Sequence, residues 1–191
     1  MKIILGSQSK GRRQALQDAG FDFDTASADI DEEAIRHDDY ELLPQLIARA
    51  KADKLTETLG EQDALLITAD TVVTFKGELR EKPLDETQAR EWLAGYTPDY
   101  PAWVNTAVTV TNLSTGKRVE GFEKAAVYFK LIPEDVITQA IKERYVFGCS
   151  GAFAIETPLL SPYIDRYEGS YSAIVGMPLD LTNELIAAAK A

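Results

Sequence analysis

The sequence predicts an α/β fold, a mixed twisted sheet with flanking helices. Two observations carry that prediction. Strand-like apolar runs and helical segments alternate along most of the 191 residues, the pattern of a sheet covered by helices. Near the middle, residues 104–113 and 117–130 both have strong β character, and Asn112-Leu113-Ser114-Thr115-Gly116 between them reads as a turn. Together they predict a long antiparallel pair. The length suits one domain or a compact two-lobed unit, taken here as a single domain over 1–191.

Composition removes several classes of function. Apolar residues make up 45% of the chain and no segment is low in complexity, so a packed core is expected. The net charge of −11 argues against a general nucleic-acid or membrane-surface binder. A polyanionic ligand would have to meet a local basic pocket or a bridging cation. The single cysteine, Cys149, allows no intrachain disulfide, and with one histidine, His37, it excludes a Cys/His zinc site. Met1-Lys2-Ile3-Ile4-Leu5-Gly6 turns polar too soon for a signal peptide. No run approaches the roughly 18 apolar residues of a transmembrane helix. A cytoplasmic protein is expected.

Taken in order, residues 2–6 read as a short buried strand that breaks at Gly6. Ser7-Gln8-Ser9-Lys10-Gly11-Arg12-Arg13 follows as a polar loop, then a helix with Ala15, Leu16 and Ala19 inward and Gly20 as its stop. A strand, a polar loop and a helix start make an anion site, because free N–H groups and the positive end of the helix dipole converge there. The same residues also read as an ordinary capped helix with solvated arginines. Residues 21–28 alternate loosely and predict a strand. Asp29-Ile30-Asp31-Glu32-Glu33 is an acidic run, ordinarily a solvated face. Residues 42–59 predict the clearest helix, with Leu43, Leu46, Ile47, Ala50 and Leu55 inward and Gly60 as the stop. Lys51 flanks that stripe, where a lysine either snorkels to solvent or reaches over the sheet end.

Leu65-Leu66-Ile67-Thr68-Ala69-Asp70-Thr71-Val72-Val73 reads as a buried strand interrupted by an acid. A buried carboxylate is costly unless a cation pairs with it, so Asp70 calls for a metal, lysines or both. A turn-capping role is the alternative. Lys76-Gly77 predicts a hairpin turn, and 86–94 a helix capped by Asp85 with Gln88 at the capping-box position. Lys82 stands before Pro83, which pushes its backbone toward extended geometry. A helix opening at Pro133 and a C-terminal helix complete the chain, with a glycine-rich stretch 147–156 between them that reads as a place for close backbone approach to a ligand or as a strand with glycine bulges. The Ser7 loop, Asp70, two lysines and an acid cluster fit metal-assisted hydrolysis of a phosphate ester or anhydride, with Mg²⁺ suited to an oxygen-only site.

The motifs Ile3-Ile4-Leu5-Gly6-Ser7-Gln8-Ser9 with Arg12, Ala28-Asp29-Ile30-Asp31-Glu32, Ala50-Lys51-Ala52, Thr68-Ala69-Asp70-Thr71-Val72-Val73, Glu81-Lys82-Pro83, Gly151-Ala152-Phe153 to Glu156, and Val175-Gly176-Met177-Pro178-Leu179 occur in this order. In them the chain resembles the Maf family of nucleoside triphosphate pyrophosphatases, over nearly its whole length. The resemblance implies an elongated, two-lobed Maf/ITPase-like architecture with a central cleft. It also implies house-cleaning hydrolysis of a nucleoside triphosphate, non-standard or modified ones included, to the monophosphate and pyrophosphate. A divalent cation (Mg²⁺ first, Mn²⁺ second) and a homodimer are implied as well.

By position, the resemblance makes Ser7 and Arg12 phosphate binders, and Glu32 a metal ligand with Asp70. Lys51 and Lys82 become contacts to the triphosphate, and Asp70 the general base. Members that favour dTTP and UTP carry Arg, Thr and Gln where this chain has Gly11, Thr71 and Glu156. Those that favour 7-methyl-GTP carry Trp, Gln and Glu. This chain matches neither set, so the base stays open. Many members also have Pro at the position of Lys10. A nucleotide-binding regulator of cell division with little turnover is the alternative function.

Overall fold

The computed structural model describes residues 1–191. Strand β1 (Lys2–Leu5) is followed by α1 (Lys10–Asp18), β2 (Asp24–Thr25), α2 (Leu43–Leu59), β3 (Ala64–Phe75), β4 (Glu78–Arg80) and α3 (Glu86–Gly95). The chain continues through β5 (Ala102–Asn112), β6 (Arg118–Phe129), α4 (Glu134–Lys142), β7 (Ile164–Glu168), a short α5 (Tyr171–Ile174) and α6 (Leu179–Lys190). The strands make one sheet in the order β2-β1-β3-β5-β6-β7, with β4 paired to β3. β1 runs parallel to β2 and β3, whereas β3–β4 and β6–β7 are antiparallel. This is the mixed α/β sheet that the sequence predicts. No helix is long and apolar enough to cross a membrane.

The chain forms two compact units. The first takes Met1–Thr71, Thr106–Glu123 and Gly176–Ala191, and the second Val72–Asn105 and Lys124–Val175. In the first unit, alternate residues of β3 enter different cores, because side chains alternate across a strand. Leu65, Ile67 and Ala69 pack with Leu16 of α1, Met177 and the inner face of α6. Ala64 and Leu66 pack with Ile4 and with Leu55 of α2. Covered on both faces, β3 is buried almost throughout, which is why it reads as a continuous apolar run.

Gly6 lets α2 come close: a Cβ there would lie 2.5 Å from Leu55 Cδ1 and 2.7 Å from Thr68 Cγ2. The Thr68 hydroxyl then donates to the Ala48 carbonyl at 2.8 Å and ties α2 to β3. The second unit is built on aromatics. Tyr96 is fully buried, stacked on Phe129 at 4.8 Å and edge-on to Phe75 and Phe153 at 5.0 and 5.5 Å.

Local signals are met where the chemistry is local. Lys76 and Gly77 both take positive φ, 51° and 83°, as a tight hairpin requires. Asp85 caps α3 by accepting from Gln88 N–H at 2.8 Å, and the Gln88 side chain reaches back to Leu84 N–H at 2.8 Å. Three readings are corrected. Helix α1 begins at Lys10, capped by the Ser9 hydroxyl, so Gly11 lies in its first turn and not in a loop. The strand expected over 21–28 is only the exposed pair Asp24–Thr25, preceded by Phe21 and Phe23, which pack on the core. Residues 147–156 hold no strand. They form short 3-10 turns, Tyr145–Gly148 and Ser150–Ala152, and the backbone turns left-handed at Gly151. The exposed edge strand β7 has no clear signal in the sequence.

Candidate active site

Leu43, Ile47, Lys51 and Leu55 follow one another at four-residue spacing on α2, and all four are buried. Residues so spaced share one helix face. Lys51 thus stands in the middle of the apolar seam, not beside it, and it does not snorkel. Its ammonium lies 2.9 Å from Asp70 Oδ1 and 2.9 Å from Glu32 Oε2, with both the Lys51 and Asp70 side chains 9% exposed. Asp70 sits within β3 and not at a strand end, on the same side as Leu66 and Thr68. Glu32 comes from the 3-10 turn Glu32–Ala34, which Asp31 caps by accepting from Ala34 N–H at 3.1 Å. One member of the acidic run is therefore recruited to the buried pair.

Arg12 is the second buried cation of the first unit. Its Nε donates to the Gly176 carbonyl at 2.9 Å, Nη1 to Ser7 Oγ at 3.2 Å and Nη2 to Thr71 Oγ1 at 3.1 Å. Thr71 Oγ1 is also 3.0 Å from Thr106 Oγ1. Burial pulls the Arg12 guanidinium below its ordinary value, while Asp70 and Glu32 pull the other way. Arg12 is therefore near both carboxylates yet held only by neutral acceptors. A guanidinium has five N–H donors, so two remain to meet an anion. Gly176 and Thr106 had no assigned role in the sequence. Gly176 combines a φ of +88° with a site where a Cβ would lie 2.9 Å from Thr71 Oγ1 and 3.2 Å from Arg12 Nε; the Gly-Met-Pro string was its only signal.

Ser7, Arg12, Glu32, Lys51, Asp70 and Thr71 are thus gathered within the first unit. Lys82 and Glu156 belong to the second. Both are exposed there, Lys82 before the buried Pro83. Both act on Cys149: burial and then Glu156 push its thiol up to about 11, against a smaller opposing pull from Lys82. His37 only accepts from Asp39 N–H at 2.9 Å, and Arg13 donates to the Gln8 carbonyl at 3.4 Å.

A family model described as Maf-like protein matches residues 2–189. The chain belongs to the Maf-like protein family. It is 40% identical to a protein of Dictyostelium discoideum named 7-methyl-GTP pyrophosphatase, over 96% of this chain and 95% of that one. It is 33% identical to a Bdellovibrio bacteriovorus protein named dTTP/UTP pyrophosphatase, over 96% of each. Among solved structures, a nucleoside-triphosphatase / dITP/XTP pyrophosphatase from Mycobacterium abscessus is a distant likeness at TM-score 0.38 and 13% identity, over 70% of this chain and 75% of that one.

In Maf terms, the motifs at Ser7–Arg12, Lys51 and Asp70 are the ones that meet in the first unit. Ser7 orients Arg12, accepting from its guanidinium and from Ser9 N–H at 3.2 Å. Lys51 is neutralised by two acids at contact distance, whereas Arg12 is oriented without being neutralised.

Removing Lys51 leaves Asp70 buried and unpaired. Lys51→Met should therefore lower unfolding free energy by about 3 kcal/mol, read from the urea midpoint at unchanged m. Adding Asp70→Leu should recover much of that loss. An unaltered midpoint in Lys51→Met would remove the pair from the stability of the unit.

The Cys149 thiol should alkylate slowly. With its titration moved from near 9 to about 11, the thiolate at pH 7 is about a hundredfold scarcer than in an ordinary cysteine. The iodoacetamide rate should still be climbing tenfold per pH unit between pH 9 and 10. A plateau by pH 9 would contradict this.

Proposed function

We propose that this Maf protein is a nucleoside triphosphate pyrophosphatase that cuts the bond between the α- and β-phosphates, releasing the monophosphate and pyrophosphate. The observation that carries the reading is the Lys51 ammonium buried 2.9 Å from both Asp70 and Glu32, beside an Arg12 whose remaining donors suit phosphate oxygens. The relatives' names support the same reaction. We further propose a house-cleaning role, a cytoplasmic location and a homodimer.

The chemistry assigned to each residue follows from its contacts. Arg12 and Ser7 bind phosphate oxygens. Lys51 has three N–H donors, of which two face carboxylates and the third is left for the substrate. Oδ1 of Asp70 engages Lys51, and Oδ2 is the atom assigned to the proton of the attacking water. Water adds to the α-phosphorus, its proton passes to Asp70, and the electron pair of the cleaved bond leaves on pyrophosphate. Lys51 and Arg12 stabilise the negative charge that shifts onto the leaving oxygens, and Lys82 is assigned a binding contact to the triphosphate.

Glu32 and Asp70 are carboxylates drawn to one cationic point, the donor type that Mg²⁺ and Mn²⁺ accept together with phosphate oxygens. They would hold the divalent cation, which when bound neutralises phosphoryl charge. Ionised Glu156 can only accept hydrogen bonds, so it suits a base edge that presents N–H donors, as guanine and 7-methylguanine do. The relative named 7-methyl-GTP pyrophosphatase favours that edge.

A panel of GTP, 7-methyl-GTP, dTTP and UTP with Mg²⁺, run in ¹⁸O-water, should give labelled monophosphate and unlabelled pyrophosphate with no orthophosphate. Orthophosphate as the product would replace this reading with a phosphatase. Asp70→Asn should lower turnover by roughly 10²–10⁴-fold with circular dichroism unchanged; near-normal activity would strip Asp70 of the base role. Sedimentation velocity should give twice the chain mass, and a monomer at micromolar concentration would remove the dimer.

A further inference from the structure

The second unit contains a buried polar array that none of the roles above uses. Arg80, the last residue of β4, is 6% exposed. Its guanidinium lies over three rings, 4.4 Å from the centre of Phe75, 5.0 Å from Tyr96 and 5.6 Å from Trp92. Nη1 donates to the Trp92 carbonyl at 3.2 Å, while Nε is buried without a hydrogen-bond partner. A desolvated guanidinium over aromatic faces is a strong attraction, and it pins the end of β4 to α3.

Tyr96, just past α3, is fully buried. Its hydroxyl donates to the Gly151 carbonyl at 2.9 Å. Gly151 in turn donates its N–H to the Glu81 carbonyl at 3.0 Å. Two hydrogen bonds therefore run from the aromatic core to the residue next to Lys82. Gly151 admits no substitute: its φ is +72°, and a Cβ would lie 2.9 Å from Tyr96 Oη, Phe153 Cε1 and Val73 Cγ1. Ala152 follows at φ +62°, a conformation that non-glycine residues adopt only when their surroundings hold them there.

We infer that Tyr96 is a positioning residue for Lys82: its hydroxyl, braced by Arg80, fixes Gly151, and Gly151 fixes the backbone at Glu81. The inference rests on the pyrophosphatase reading only in taking Lys82 to meet the triphosphate. Pro83 restricts Lys82 from one side and the Glu81 carbonyl from the other, so an exposed lysine gains a fixed origin. Burial raises the Tyr96 phenol to about 12, so the hydroxyl keeps its proton and stays a donor at neutral pH.

Tyr96→Phe removes the hydroxyl and keeps the ring. Amide exchange at Glu81 and Lys82 and at residues 149–153 should quicken about tenfold, the change expected for one lost hydrogen bond, with the β6 amides of the unit unaltered. KM for the best triphosphate of the panel should rise roughly five- to tenfold with kcat within about twofold. In a Lys82→Ala background the same substitution should add less than about twofold, because its effect passes through that lysine. Equal effects in both backgrounds, or unchanged exchange at Glu81, Lys82 and Gly151, would overturn the inference and leave Tyr96 a core residue. A wild type that turns over no triphosphate would sink the pyrophosphatase reading instead, since the exchange arm measures the positioning without turnover.

Discussion

The constraint on which the first unit depends is the burial of one ammonium between two carboxylates. Lys51 occupies a position on α2 where the flanking residues of the stripe are leucine and isoleucine, and Asp70 occupies one on β3 between alanine and threonine. Neither charge is stable there alone, because the cost of taking an ion out of water is several kcal/mol. Each is tolerable only with the other, and the pair only if α2 lies close to β3. That closeness is set by neutral contacts: the missing side chain at Gly6, and the bond from Thr68 to the Ala48 carbonyl. Shape brings the elements together and charge then fills the gap that shape leaves.

Such a pair contributes little to stability compared with apolar residues of the same volume. Its retention is better explained by what it presents. Glu32 remains 44% exposed on its side chain, so the buried pair connects to solvent through a carboxylate on a short turn. Arg12 complements it. Its three acceptors, Ser7, Thr71 and the Gly176 carbonyl, fix the plane of the guanidinium but carry no charge. In a chain with net charge −11, an oriented cation whose contacts leave its charge standing is the group an anionic substrate would find. Arg12 and Lys51 also meet β3 through adjacent residues, Thr71 and Asp70, whose side chains point to opposite faces of the strand.

Most of the elements could be read from the sequence because their causes lie within one turn or one strand. The cap at Asp85, the turn at Lys76-Gly77, the stop at Gly60 and the apolar run before Asp70 are all local. What the sequence concealed is non-local. Lys51 appears to flank its stripe until Asp70, 19 positions on, is seen to hold it. The partner of Arg12 Nε lies 164 positions away, and no periodicity marks a carbonyl as a ligand. Family motifs named Ser7, Arg12, Lys51 and Asp70 without their contacts. Residues 21–28 misled because two phenylalanines at strand spacing pack on the core from an irregular segment. Residues 147–156 were open to two readings because small residues permit both a strand and a tight turn, and only φ at Gly151 separates them.

The two units hold their charged groups by different means, and the difference bears on what each can tolerate. In the first, Asp70 and Lys51 are carried by a strand and a helix of regular geometry, so their positions follow from the packing of whole elements. In the second, Lys82 and Glu156 project from irregular segments, where position has to be imposed residue by residue. Pro83, the left-handed Gly151 and Ala152, and the bonds through Tyr96 are the means available. A loop fixed in this way can change its exposed side chains freely as long as its buried anchors persist. A strand buried on both faces cannot. The proposed hydrolysis thus draws on regular elements at Lys51 and Asp70, and the proposed contact to the base on an irregular segment at Glu156. The exposed acid at Glu156 is then the group whose identity can vary without disturbing the core beneath it.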